Sequence, residues 1–161
     1  MTNHVIHALR RYGRTAASLL AGAVAITLNT AALASADLVP LATAHGGLLR
    51  FLVQQTGIAA PAGPAFEAGF HVAVGLVMAL VYGFALEPWL PGPPWWRGVI
   101  YAAAGWLANA VIVLPAIGEG FAGNRDLSLL GMIWFAAAHT LFFVVLAVLY
   151  ARFDRLQHNP Q

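Results

Sequence analysis

The sequence predicts an all-α integral membrane protein: a four-transmembrane-helix antiparallel bundle with a short interfacial helix between the first two spans. Three observations carry this expectation. Hydrophobic residues make up 60% of the 161 positions and charged residues only 9%, against roughly 25% charged in a soluble domain, which is too few to cover a water-facing surface. The apolar residues gather in runs long enough to cross a hydrocarbon layer of about 30 Å as helix. The arginines and acids fall between or at the ends of those runs. The mean hydropathy of +0.75 agrees.

Residues 1–14 form a basic tail containing His4, His7, Arg10, Arg11 and Arg14, and the first apolar run is 15–36, rich in alanine, with Thr27, Asn29 and Thr30 in its second half. Residues 37–67 are too polar and too broken by glycine and proline to span. Within them 47–55 places Leu48, Leu49, Phe51, Leu52 and Val53 around Arg50, the pattern of an amphipathic helix lying on a membrane surface. The second run is 68–86. A turn at 87–97 follows, with four prolines and the tryptophans Trp89, Trp95 and Trp96, rings suited to anchoring at headgroup level. The third run is 98–118, with Pro115 placed to kink or end it. An outer loop at 119–126 precedes the fourth run, 127–151, and a tail at 152–161 closes the chain. Backbone groups in lipid must be paired internally, so each apolar run is read as a helix.

Arginine distribution sets the orientation, because cytoplasmic segments near spans retain positive charge. Arg10, Arg11, Arg14, Arg97, Arg152 and Arg155 fall on one side, with Arg50 and Arg125 on the other. This places both termini in the cytoplasm. A second reading of the N-terminus stays open: Arg10, Arg11 and Arg14 ahead of an apolar stretch ending Ala34-Ser35-Ala36 also match a cleavable signal peptide, and the Arg10-Arg11 pair echoes a twin-arginine signal.

The formal charge of +2 comes from eight arginines and no lysine against six acids. No basic stripe is interleaved with aromatics, so nothing points to nucleic acid. There is no cysteine, which removes disulfides, thiolate metal sites and a cysteine nucleophile. No nucleophile–base motif, phosphate loop or paired intramembrane carboxylate appears.

Polar side chains inside a membrane are costly and so are candidates for function or for interhelical bonding. His71 and His139 each lie eleven residues ahead of a tyrosine, Tyr82 and Tyr150, about three helical turns, so each pair shares a face. Two imidazoles on parallel spans could ligate a haem from both sides. The stripe His71, Gly75, Ala79, Gly83 would leave room for the macrocycle. The competing reading is that small residues let helices approach and the histidines bond across them. Asn109, in mid-span, and Thr140 likewise either bond a neighbouring helix or line a polar path. Glu119, Asn124, Arg125 and Asp126, with His45, Arg50 and Glu67, either form an external pocket or a pair of solvated loops.

The stretches from Phe84 to Gly92, Val113 to Phe121 and Ala138 to Tyr150 resemble small bacterial four-span inner-membrane proteins of unknown function, over about residues 66–151. The resemblance implies a helical inner-membrane protein with no agreed activity and carries over no site residue. Such proteins often have smaller, glycine-containing sequence where this chain has Phe142-Phe143. Three functions follow as expectations: a non-enzymatic small subunit or partner in a homo-oligomer or larger membrane assembly; a bis-histidine haem-binding electron carrier; or a small transporter or channel with Asn109, His139 and Tyr150 along one path. The lipid bilayer is the partner common to all three.

Overall fold

A computed structural model describes residues 3–39, 41–43 and 46–158, with side chains described from Gly13 onward except those of Asp37, Gln157 and His158. His45 and the side chains of His4 and His7 therefore lie outside the described residues. Among the described residues the secondary structure is all helical: α1 (Asn3–Ala34), α2 (Gly47–Thr56), α3 (Pro64–Val81), α4 (Pro94–Ala108), the single turn α5 (Leu114–Ala116) and α6 (Leu129–His158). Four stretches are long and apolar enough to cross a membrane, namely Gly13–Ala34, Pro64–Leu86, Pro94–Ala116 and Leu129–Leu156. These are the helices of a multi-pass membrane protein. Their outward faces carry Leu20, Val24, Val77, Leu107, Ile112 and Ile133, all more than 40% exposed, so the helices are apolar on both their packed and their outward sides.

The first and last helices run beyond the expected spans, α1 beginning at Asn3 within the N-terminal tail and α6 continuing to His158 within the C-terminal one; the starts of the middle two differ at prolines. Pro64 and Pro94 each sit at the first turn of a helix rather than in the preceding loop. A fixed φ suits proline to that position, and its missing N–H is one that has no intrahelical partner there. Both helices thus start four residues earlier than hydropathy alone suggests.

Two wide π turns interrupt the spans, at Tyr82–Leu86 and Asn109–Val113. The Glu87 N–H reaches back five residues to Tyr82 O at 2.8 Å, and the Leu114 N–H reaches back to Asn109 O. The second turn lies just ahead of Pro115, whose ring crowds the carbonyl four residues earlier and which has no N–H to give. Widening the helix there accommodates it, and the helix ends one residue beyond, at Ala116.

α6 packs against α1 on one side and α4 on the other, and α1 also packs against α3. Small residues set the spacing. Ala17, Ala21 and Ala25, four apart on α1, are fully buried. A Cβ placed on Gly22 would come within 2.6 Å of Ala79 Cβ, and one on Gly98 within 2.6 Å of Val144 Cα. The larger cluster joins these alanines to Tyr82, Tyr101, Phe142, Phe143, Leu146 and Tyr150. A smaller one gathers Leu33, Leu114, Phe135 and Ala138 toward the other end of the helices. Phe142 and Phe143 are both core residues, and small residues on α4 make room for Phe143: its ring lies 3.1 Å from where a Cβ on Gly105 would be.

Residues 87–93 form a tight turn held by Arg97 in the first turn of α4, whose guanidinium meets Glu87 Oε1 at 2.7 Å and donates from Nε to Gly92 O at 2.9 Å. Trp89, Trp95 and Trp96 project outward, Trp89 at 84% exposure.

Candidate functional site

Between the two apolar clusters lies a cavity of about 390 Å³. Ordered along the helices, its lining runs from Met78, Phe142 and Phe143 at one end, taken as the floor, through Asn29, His71, Asn109 and His139 to Pro64, Glu67, Leu48 and Leu49 at the other, taken as the mouth because Pro64 and Glu67 are exposed. Four spans and α2 all contribute.

Asn29 is buried and ties three helices together. Its Nδ2 donates to Ala138 O on α6 at 2.9 Å, and its Oδ1 lies 2.9 Å from His71 Nε2 on α3. Since the amide nitrogen is committed to a carbonyl, Oδ1 accepts and His71 Nε2 carries the proton; this tautomer follows from the hydrogen-bond network. His139 is fixed in a different way. Its Nδ1 donates to Phe135 O at 2.8 Å, one turn back on its own helix, and its ring packs on Phe135 with centroids 4.1 Å apart. In the neutral ring Nε2 is then a lone-pair acceptor. The Nε2 atom of His139 and the side-chain amide of Asn109 make no hydrogen bond to any described residue, and both residues line the cavity.

Asn109 opens the π turn of the third span. Single π turns inside α-helices are frequent at functional sites, and the cause here is local, since the turn relaxes the chain ahead of Pro115. Thr140 does not reach the cavity. Its Oγ1 donates back to Ala136 O at 2.8 Å, the ordinary arrangement for a helical threonine.

The tyrosines lie below the floor. Tyr82 and Tyr150 meet edge to face at 5.6 Å, Tyr82 stacks on Tyr101 at 6.0 Å, and Tyr101 packs on Phe143 at 4.3 Å. The Tyr150 hydroxyl donates to Gly83 O at 3.4 Å, whereas the Tyr82 hydroxyl and Ser18 Oγ are buried without a partner among the described residues. The eleven-residue spacing therefore separates two levels: the histidines line the cavity and the tyrosines seal the helices beneath it. Asn109 and His139 share the cavity, but Tyr150 is not on a path with them.

The stripe on α3 leaves no room for a macrocycle. A Cβ on Gly75 would come within 2.7 Å of the Ile26 side chain, Ala79 faces Gly22, and a Cβ on Gly83 would clash with Ser18 Oγ. α1 fills the space, and His71 Nε2 is already bonded to Asn29. The packing lends no support to a haem held between His71 and His139. Among the described residues no group of three or more His, Cys, Asp or Glu could hold a metal ion.

At the mouth, α2 is bracketed by Gly46 and Gly57, both with left-handed backbone at φ of 67° and 68°. It has no buried residue of its own. Gly47 lies close to the Leu114 side chain, and Arg50 Nη2 pairs with Glu119 Oε1. Glu119 is 7% exposed, so this pairing serves a carboxylate that burial would otherwise penalise. Asn124, Arg125 and Asp126 are exposed, with Arg125 Nη1 donating to Gly118 O. Among the described residues the Arg50–Glu119 ion pair thus joins α2 to the 119–126 loop, while Glu67 lines the cavity from the first turn of α3.

No protein-family model, no curated protein and no solved structure matches this chain.

Proposed function

We propose that this chain is a multi-pass protein of a bacterial inner membrane, with both termini cytoplasmic, that holds a small amphipathic molecule in its cavity without transforming it. One observation carries the reading: His139 Nε2 and the Asn109 amide, both on membrane-spanning helices, have no hydrogen-bond partner among the described residues and line the same cavity. Polar groups left unmet in an apolar interior cost on the order of 1–3 kcal/mol each. A cavity of about 390 Å³ with apolar walls and a few convergent polar groups has the character of a small-molecule site.

The surrounding architecture supports this reading. Six arginines against two favour cytoplasmic termini, which puts the mouth of the cavity on the outer side. α2, amphipathic and without a buried residue, suits an interfacial helix covering that mouth. The buried alanines of α1 against α3 and α6 favour its retention as a span of an antiparallel four-helix bundle rather than its removal as a signal. The small-residue stripes that suggested a partner subunit are taken up inside the chain, by Gly22 on Ala79, Gly75 on Ile26 and Gly98 on α6. They give no argument for a larger assembly. A channel through the protein receives no support either, because the tyrosine layer lies below Phe143.

The test is chemical. The full chain is extracted directly into lipid nanodiscs, and its small-molecule content is compared by mass spectrometry with that of Val74→Trp, which fills the cavity from α3. We expect a non-bulk compound enriched at near one per chain in the native protein and lost in the variant. Identical contents in both, at bulk-lipid composition, would defeat the proposal.

A further inference from the structure

The charge and hydrogen-bonding character of the lining restricts what the cavity can hold, and this inference rests on the binding role just proposed. Among the described residues that line the cavity, Glu67 is the one with a formal charge and none is an arginine. The Glu67 carboxylate makes no hydrogen bond or ion pair with any described residue. Deeper in, His139 Nε2 offers a lone pair because Nδ1 is committed to Phe135 O, and the Asn109 amide offers an unused oxygen beside its unused NH2 group. His71 and the Nδ2 of Asn29, which could have served as donors, are already bonded to Asn29 Oδ1 and Ala138 O. The unspent capacity of the site is therefore mostly acceptor, and its net charge is negative.

An anionic head group would meet the exposed Glu67 carboxylate at the mouth with no cation among the described lining residues to offset it, and like charges repel. A head group rich in N–H donors has the complementary chemistry. The lining is also graded: by residue order, Met78, Phe142 and Phe143 lie deepest, His139 and Asn109 come next, and Glu67 and Pro64 stand at the mouth. A molecule with an aromatic or aliphatic body and one terminal ammonium matches that gradient end to end. The aromatic rings add favourable surfaces for a cation. The geometry points to a lipophilic primary amine as the ligand class, bound body-first, its ammonium donating to His139 Nε2 and the Asn109 oxygen under the field of Glu67.

The test uses three matched probes, 4-phenylbutylamine, 4-phenylbutanol and 4-phenylbutyric acid, titrated calorimetrically against the full chain in nanodiscs, with Val74→Trp nanodiscs measuring partition into lipid. The amine is expected to bind about tenfold more tightly than the alcohol, with no saturable binding of the acid. Glu67→Gln should abolish the advantage of amine over alcohol. His139→Phe should weaken both. If the alcohol or the acid binds as well as the amine and Val74→Trp blocks it, the cavity is a binding site but the head-group assignment is wrong. If no probe binds above the Val74→Trp background, both the assignment and the binding role fall.

Discussion

Replacing Gly98 with valine should be the most damaging single change to the fold. A Cβ at this position would lie 2.6 Å from Val144 Cα and 2.7 Å from Phe143 O. These are backbone atoms of the facing helix, so no rotamer change relieves the contact and α4 must move away from α6. Overpacking of a tight core costs about 1–3 kcal/mol, sometimes more, and here the shift also loosens Tyr101 against Phe143. The expected result is loss of at least about 3 kcal/mol, read as a large fall in the unfolding midpoint in detergent, or no monodisperse protein at all. Gly69→Ala is the matched control, since a Cβ there meets nothing within 4 Å. It should be neutral or slightly stabilising, because alanine is the better helix former by up to about 1 kcal/mol. Equal effects of the two substitutions would contradict the packing described.

The second large effect is expected at Asn29. Substitution by leucine keeps the branched four-atom outline, at somewhat greater volume, but removes both the bond to Ala138 O and the one to His71. It leaves the His71 N–H without its acceptor. Interhelical bonds of this kind are worth about 0.6–2 kcal/mol each in membrane proteins, and the orphaned donor adds its desolvation cost, so a loss of about 2 kcal/mol follows. His71→Phe alone should cost less, since Asn29 keeps its bond to α6. In the double variant the two losses should sum to more than the measured effect, by the worth of the Asn29–His71 bond. Strict additivity would show that the two side chains are not coupled.

Much of this arrangement is legible in the sequence once faces are read at four-residue spacing. Ala17, Ala21, Ala25, Asn29 and Leu33 form one line, and all five are buried; the alanine run that looked weakly hydrophobic is a packing surface with an amide set in it. Gly98, Ala102, Gly105 and Asn109 form a similar line on the third span, the first two of them buried. The four spans follow from hydropathy, as does the shared face of each His–Tyr pair. Two features could not be read this way. The π turns depend on backbone accommodation near Pro115 and Pro88, for which side-chain patterns hold no signal. The filling of the Gly75–Gly83 stripe depends on which helix lies against it, and a stripe of small residues is the same in sequence whether its neighbour is a helix or a cofactor. Glu67 was read as loop because Pro64 looked like a breaker, when proline is as well suited to a helix's first turn.

The proposed binding role has the cavity opening on the outer side, with the tyrosine layer closing it below. The chain has no cysteine, so single cysteines report without background. Asn109→Cys and Leu146→Cys, each in sealed vesicles of both orientations, are exposed to a membrane-impermeant methanethiosulfonate carrying a quaternary ammonium. Asn109→Cys should be modified from the outer face only, and protected when Val74→Trp is added; Leu146→Cys, fully buried beneath Phe143, should be modified from neither. An unreactive Asn109→Cys, or one modified from the cytoplasmic face, would contradict the account at its centre.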